Sequence, residues 1–119
     1  MPIAIIRLYT GPDEQSHFET IDLETTESAV HDLLSNRESV RTLQFALTPP
    51  GGSFDWHCAP ERQFVLTLSG TLEFTNRMGD AQIIHPGDIL LAEDTTGGGH
   101  RWRLIDEEPW RRCYVTLTE

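Results

Sequence analysis

GGSFDWHCAPERQFVLTLSG, residues 51–70, is the most informative stretch of the chain. Its second half, residues 63–69, reads as a strand, because β-branched and aromatic residues alternate there before Gly70. Side chains of a strand point to opposite faces with a period of two. Gln63, Val65 and Thr67 therefore share one face, and Phe64, Leu66 and Leu68 share the other. Gly70 turns the chain into a further extended segment, residues 71–76.

The same alternation of short extended runs and Gly/Pro punctuation continues outward in both directions. Downstream, Arg77-Met78-Gly79-Asp80 is a hairpin turn into residues 81–84, and His85-Pro86-Gly87-Asp88 is a turn into the apolar run 89–92. After a loop at 95–99, residues 100–105 and 111–117 complete the set. Upstream, residues 42–48 alternate around Leu43, Phe45 and Leu47 until Pro49-Pro50-Gly51-Gly52 breaks them, and strands are expected at 3–9 and 17–23. One patch has helical spacing: Val30, Leu33 and Leu34 lie at i, i+3 and i+4 after Glu24 and Glu27. It predicts one short helix of two or three turns ending near Asn36. Many short, evenly spaced strands point to an all-β sandwich or barrel. No composition break divides residues 1–119, so one domain is expected, with a barrel core over about 40–117 and the N-terminal strands and short helix in 1–39.

Composition narrows the function. A chain of 119 residues and 13.5 kDa, 38% hydrophobic and 24% charged, suits one globular domain. Nineteen acidic side chains against nine basic ones leave a formal charge of -10, which argues against a nucleic-acid partner. No run approaches the ~18–20 apolar residues that cross a bilayer, so no membrane partner is expected. All nine cations are arginine, so no lysine amine is available for Schiff-base chemistry. MPIAIIRLYT at residues 1–10 has no basic leader before a long apolar run, and two cysteines, Cys58 and Cys113, make no disulfide framework. A cytoplasmic location is the expectation. What remains is a domain for small molecules.

Residues 51–70 resemble the first motif of the cupin superfamily, in which a glycine is followed six residues later by a histidine, then by a second histidine, a glutamate and a closing glycine. Gly51, His57 and Gly70 fall on that pattern. Ala59 stands at the second histidine position and Gln63 at the glutamate position. PGDILLAEDTTGGGH, residues 86–100, resembles the second motif, with His100 in the place of its last metal-ligating histidine and an altered loop before it. The likeness covers roughly residues 40–117 and implies a double-stranded β-helix, the jelly-roll barrel of small single-domain bacterial cupins. It implies that Gln63, Val65 and Thr67 line the interior. His100, Trp102 and Leu104 join them from a later strand, leaving Arg101 and Arg103 outside. The outward apolar row Phe64, Leu66, Leu68 then suggests a homodimer.

Full cupin sites supply three histidines and a carboxylate to a metal. Here the candidate ligands are His57, Gln63 and His100, two imidazoles and a neutral amide. Two readings of this set stand side by side. In one, it holds a divalent ion (Fe, Mn, Ni or Zn) with reduced affinity. In the other, the cavity is metal-free, with Gln63 bridging the two rings by hydrogen bonds. Either cavity suits a small polar molecule. His57 is then the candidate general base and His100 the group that positions or polarises, as in cupins that work as epimerases or dehydratases. A non-catalytic binding or sensing barrel is the alternative to a metal-dependent or proton-transfer enzyme.

Other residues carry weaker expectations. Glu93 and Asp94 cap or turn their loop, unless one of them folds over the cavity mouth. Gly97-Gly98-Gly99 lacks the helix and Lys-Ser/Thr of a phosphate loop, and reads instead as a close backbone approach delivering His100. His85 belongs to a surface turn, His31 to the solvated face of the short helix, and His17, in Ser16-His17-Phe18, to packing or a dimer contact. Cys58 and Trp56 point away from His57. Trp102 is a candidate ligand-stacking wall, Cys113 a buried thiol, and Arg62 faces away from Gln63. One of Arg111 and Arg112 reaches an anionic ligand if either leaves the surface.

Overall fold

The structure is a computed structural model and describes residues 2–118. Twelve strands follow one another: β1 (Ile3–Thr10), β2 (Ser16–Leu23), β3 (Thr25–Glu27), β4 (Leu33–Ser35), β5 (Val40–Thr48), β6 (Ser53–His57), β7 (Gln63–Ser69), β8 (Leu72–Asn76), β9 (Ala81–Ile84), β10 (Ile89–Ala92), β11 (His100–Leu104) and β12 (Trp110–Leu117). A six-stranded sheet in the order β2-β1-β10-β7-β12-β5 faces a four-stranded sheet in the order β6-β11-β8-β9. All pairings are antiparallel except β1 with β10. This is the all-β jelly-roll barrel that the sequence predicts.

Alternation decides which side chains fill it. From β7 comes Val65, from β8 Leu72 and Phe74, from β11 Trp102 and Leu104, and from β12 Trp110, all in one buried cluster with Leu8, Ile84 and Leu90. Each large side chain removed from water stabilises the fold by about 1.5–3 kcal/mol. A smaller cluster of Ile5, Leu91 and Leu117 lies apart, and Phe64 packs against it. The expected outward row of β7 is thus partly covered, with Leu68 exposed. A more exposed apolar row stands on β5, at the sheet edge: Leu43, Phe45 and Leu47, with Phe45 at 72% exposure.

The predicted short helix is absent; the described residues contain none. β3 and β4 form a two-stranded hairpin instead, with Thr26 opposite Leu34. Ser28 closes its turn: the Ser28 N–H donates to the Asp32 carbonyl, and its Oγ accepts the N–H groups of Val30 and Asp32. Val30, Leu33 and Leu34 are all exposed, so their spacing buries no apolar face. A helix this short is marginal without such burial, and the β-branched pair Thr25-Thr26 and the side-chain bonds of Ser28 favour the hairpin. His31 lies in that turn at φ 65° and pairs with Glu27.

Candidate functional site

The barrel encloses a cavity of about 370 Å³ between its two sheets, within the range of small-molecule sites. His57 ends β6 and His100 begins β11, and the two residues sit opposite each other in register. Their ring centroids are 4.4 Å apart and inclined at 58°. Gly99 makes this approach possible: it has φ 74°, and a Cβ there would meet the His57 carbonyl oxygen at 2.5 Å. Only glycine fits so close a backbone contact. Gln63, Val65 and Trp102 also lie on the cavity wall.

Thr67 does not. It points inward and is buried, but its Oγ1 accepts the Trp110 indole N–H at 3.2 Å, and Trp110 takes its place on the wall. The expected bridge from Gln63 is absent too, since the Gln63 amide bonds neither imidazole. Each ring is instead oriented by a group nearer in sequence. His57 Nδ1 lies 2.7 Å from the Asp55 carbonyl, which only accepts, so Nδ1 carries the proton. His100 Nδ1 donates to Asp94 Oδ2 at 2.5 Å. Among the described residues, no group bonds Nε2 of either ring.

Asp94 is the residue that sequence reasoning misplaced. It neither caps its loop at the surface nor covers the mouth; it is 0% exposed behind His100, itself 4% exposed. The same Oδ2 accepts the Ser16 hydroxyl at 2.6 Å, while Oδ1 is buried without a partner among the described residues. Asn76 donates to the Ser16 carbonyl at 2.9 Å and faces His100 across the sheet, joining β2, β8 and β11 in one buried polar network. Ser16, next to the singled-out His17, is the member of its tripeptide that joins this network. His17 itself pairs with Asp13 at 2.9 Å and leans on the Tyr9 ring. A carboxylate shortly before an inward histidine, after an apolar strand, was the available signal.

Electrostatics act on the His57 ring. Burial, followed by the repulsion of His100, holds the His57 ring below the ordinary imidazole value, against the opposing pull of the Asp55 carbonyl and Asp94. Its ring also stacks on Phe54 at 4.1 Å and 17°. Glu93 belongs to a different set: burial pushes its carboxyl up, but Arg62 and Arg7 together overcome this and hold it below the usual carboxylate value. Cys58 donates to the Gly97 carbonyl, away from the rings, and burial pushes its thiol up. Cys113 is buried, and both thiols are free. Trp56 lies outside, beneath the Arg77 and Arg101 guanidiniums.

As a metal centre, the donors are few. Among the described residues no three His, Cys, Asp or Glu side chains gather around one point. Ala59, at the second histidine position, is buried and offers no donor. His57 and His100 present two free nitrogens, to which Gln63 adds only a neutral amide. No helix among the described residues is long and apolar enough to cross a membrane.

Comparison with known proteins bears on this barrel. The sequence pattern of the Cupin domain family matches residues 44–114. A cupin-domain-containing oxidoreductase of Neurospora crassa is 31% identical over 98 residues, covering 82% of this chain and 47% of its own length. The chain thus spans about half of that relative. A solved Salmonella typhimurium LT2 protein assigned to ethanolamine utilization superposes with a TM-score of 0.50 at 14% identity, covering 98% of this chain and 97% of its own. A conserved Streptococcus pyogenes protein of unknown function gives 0.49 at 19% identity, over 72% of this chain and 70% of its own.

Proposed function

This chain belongs to the cupin family, and from that premise we propose that its barrel binds a small polar molecule and moves a proton on it. His100 is the base and His57 its neutral partner. The observation that carries this reading is the buried Asp94 carboxylate bonded to His100 Nδ1. A buried carboxylate so placed fixes the tautomer and ring orientation and stabilises the imidazolium formed when Nε2 accepts a proton. A passive container has no need of it, and burying polar groups is costly unless they are paired. This reverses the expected roles of the two rings, because His57 has only a backbone carbonyl behind it. Lowered as it is, His57 stays neutral at pH 7, and its Nε2 accepts a hydrogen bond from the ligand.

Hydrogen–deuterium exchange beside the carbonyl of small keto and hydroxy compounds, followed by NMR in D2O, tests the reading. Exchange above background is expected, with at least a hundredfold loss in His100→Ala. No enzyme-dependent exchange across such a panel would leave a binding barrel alone.

A second reading has one observation in its favour. Both Nδ1 atoms are engaged, leaving both Nε2 atoms without a bond among the described residues on rings whose centroids are 4.4 Å apart, as outer hydrogen bonds leave the coordinating nitrogen of metal-bound imidazoles. His57 and His100, with Gln63, would hold a divalent ion that polarises the ligand. Elemental analysis of untagged protein, with titration of Fe, Mn, Ni and Zn, tests it. Stoichiometric metal lost in the His57→Ala, His100→Ala double variant supports it, whereas no uptake rejects it.

The partner we propose is a second copy of the chain, seated on β5. That edge combines unpaired backbone groups with exposed Leu43, Phe45 and Leu47, and it borders the cavity through Thr42 and Gln44. Sedimentation is expected to show a dimer that Phe45→Asp converts to monomer. A wild-type monomer at micromolar concentration would reject the interface.

A further inference from the structure

Proton transfer leaves one buried charge unused. Arg112 of β12 lies on the wall of the same cavity and is only 8% exposed. Its Cζ stands 3.8 Å over the Trp110 ring centroid, with Tyr114 at 5.3 Å. Its Nε donates to the Tyr114 hydroxyl at 3.1 Å, and its Nη1 donates to Thr48 Oγ1 at 2.8 Å and the Trp110 carbonyl at 3.1 Å. Every one of these partners is neutral, and Nη2 has no acceptor among the described residues.

The contrast with the other arginines is informative. Arg7, Arg41, Arg62 and Arg103 each pair with a carboxylate near the surface. Arg112, the buried one, pairs with no carboxylate among the described residues, in a chain with nineteen acidic residues. Glu61 supplies the one carboxylate on the cavity wall among the described residues, and Arg41 takes it. A buried cation without a counter-charge is strongly unfavourable. A ligand carrying a negative charge would supply the missing counter-charge.

We propose that Arg112 anchors a carboxylate, so that the molecule taken by this barrel is a small organic acid rather than a neutral sugar or alcohol. This rests on the reading of the cavity as the ligand site and names its substrate class. A single guanidinium with free N–H groups on Nη2 and a surround of indole and phenol rings suits a planar, singly charged carboxylate. A phosphate dianion would want further cations. The register also separates the two tasks. Arg112 pairs with Thr67 of β7, whereas Asp94, behind His100, follows two residues after Ala92, the partner of Gln63. The anchor and the proton-transfer pair therefore stand at different levels of the barrel. The acid enters with its carboxylate toward Arg112 and its reacting group toward His57 and His100.

The test compares benzoate with its neutral isostere benzamide. In a Trp56→Phe background the two remaining tryptophans, Trp102 and Trp110, both report from the cavity wall. Saturable quenching by benzoate is expected, with benzamide at least about tenfold weaker and Arg112→Gln abolishing that preference. Equal affinity for the two probes, or a preference that survives Arg112→Gln, overturns the anchor while leaving the cavity as a ligand site. Saturation by neither probe overturns both. Should Arg112→Gln fail to fold, the contrast between the two probes on the tryptophan background decides alone.

Discussion

His57 and His100 are neighbours in register, yet the regions that carry them are built in opposite ways. The end of β6 holds His57 through the carbonyl of Asp55, two residues back, and its ring is half-buried against Phe54. The start of β11 holds His100 through Asp94, and Asp94 depends on Ser16 at the other end of the chain. The first arrangement is local and survives small changes elsewhere. The second closes a network across β2, β8 and the loop before β11, all of it removed from water. Two residues opposite each other in register can thus be held in different ways, one by its own strand and one by a buried carboxylate from the loop before its strand.

The largest effect that would break this contrast is expected from Asp94→Ala. It leaves the Ser16 hydroxyl and the His100 N–H without an acceptor in the interior, and loss of about 3–5 kcal/mol is expected in urea unfolding. His57→Gln, by comparison, should cost far less, since its bond is to a backbone group on its own strand. An equal loss in both variants would erase the distinction. Ser16→Ala comes next, at about 1–2 kcal/mol in the same measurement. It keeps the Asp94–His100 bond but lets the carboxylate rotate, so NMR of the His100 ring should show greater mobility while His57 is unmoved.

A smaller effect sharpens the contrast through pH. Because the folded protein holds His57 below the ordinary imidazole value of 6.5, the unfolded chain takes up its proton first as pH falls. Its share of stability is therefore complete above about pH 6.5 and is lost as pH drops toward the lowered folded value. His57→Gln should flatten that slope in unfolding measured from pH 7.5 to 5. An unchanged slope would show that His57 is not the group responsible. Least of all is expected from His31→Ala, where an exposed pair with Glu27 closes the β3–β4 turn: under about 0.5 kcal/mol.

The strands were legible because each needs only short-range information. β7, β9 and β10 begin and end where alternation meets glycine, proline or a polar turn. The error at residues 25–35 has the same origin, since i, i+3, i+4 spacing is a helical signal only if some partner covers the apolar face, and none does. In the site, the glycine spacing marked His57, and the approach through Gly99 placed His100 beside it. Asp94, Ser16 and Arg112 were harder to place. Each is polar, and a polar residue in a loop or beside another arginine is ordinarily solvated. Trp110 displaced Thr67 from the wall for a further reason, as a large indole on the adjacent strand covers what alternation alone sends inward.

The sequence by itself determined the all-β barrel, the inward faces of β7 and β11 and the candidacy of His57 and His100, because pleat and turn chemistry act between neighbours in the chain. Tertiary structure alone decided which carboxylate stands behind which imidazole and which arginine lacks one. Those partnerships join residues 78 positions apart in the case of Ser16 and Asp94. Burial, not spacing, sets their strength.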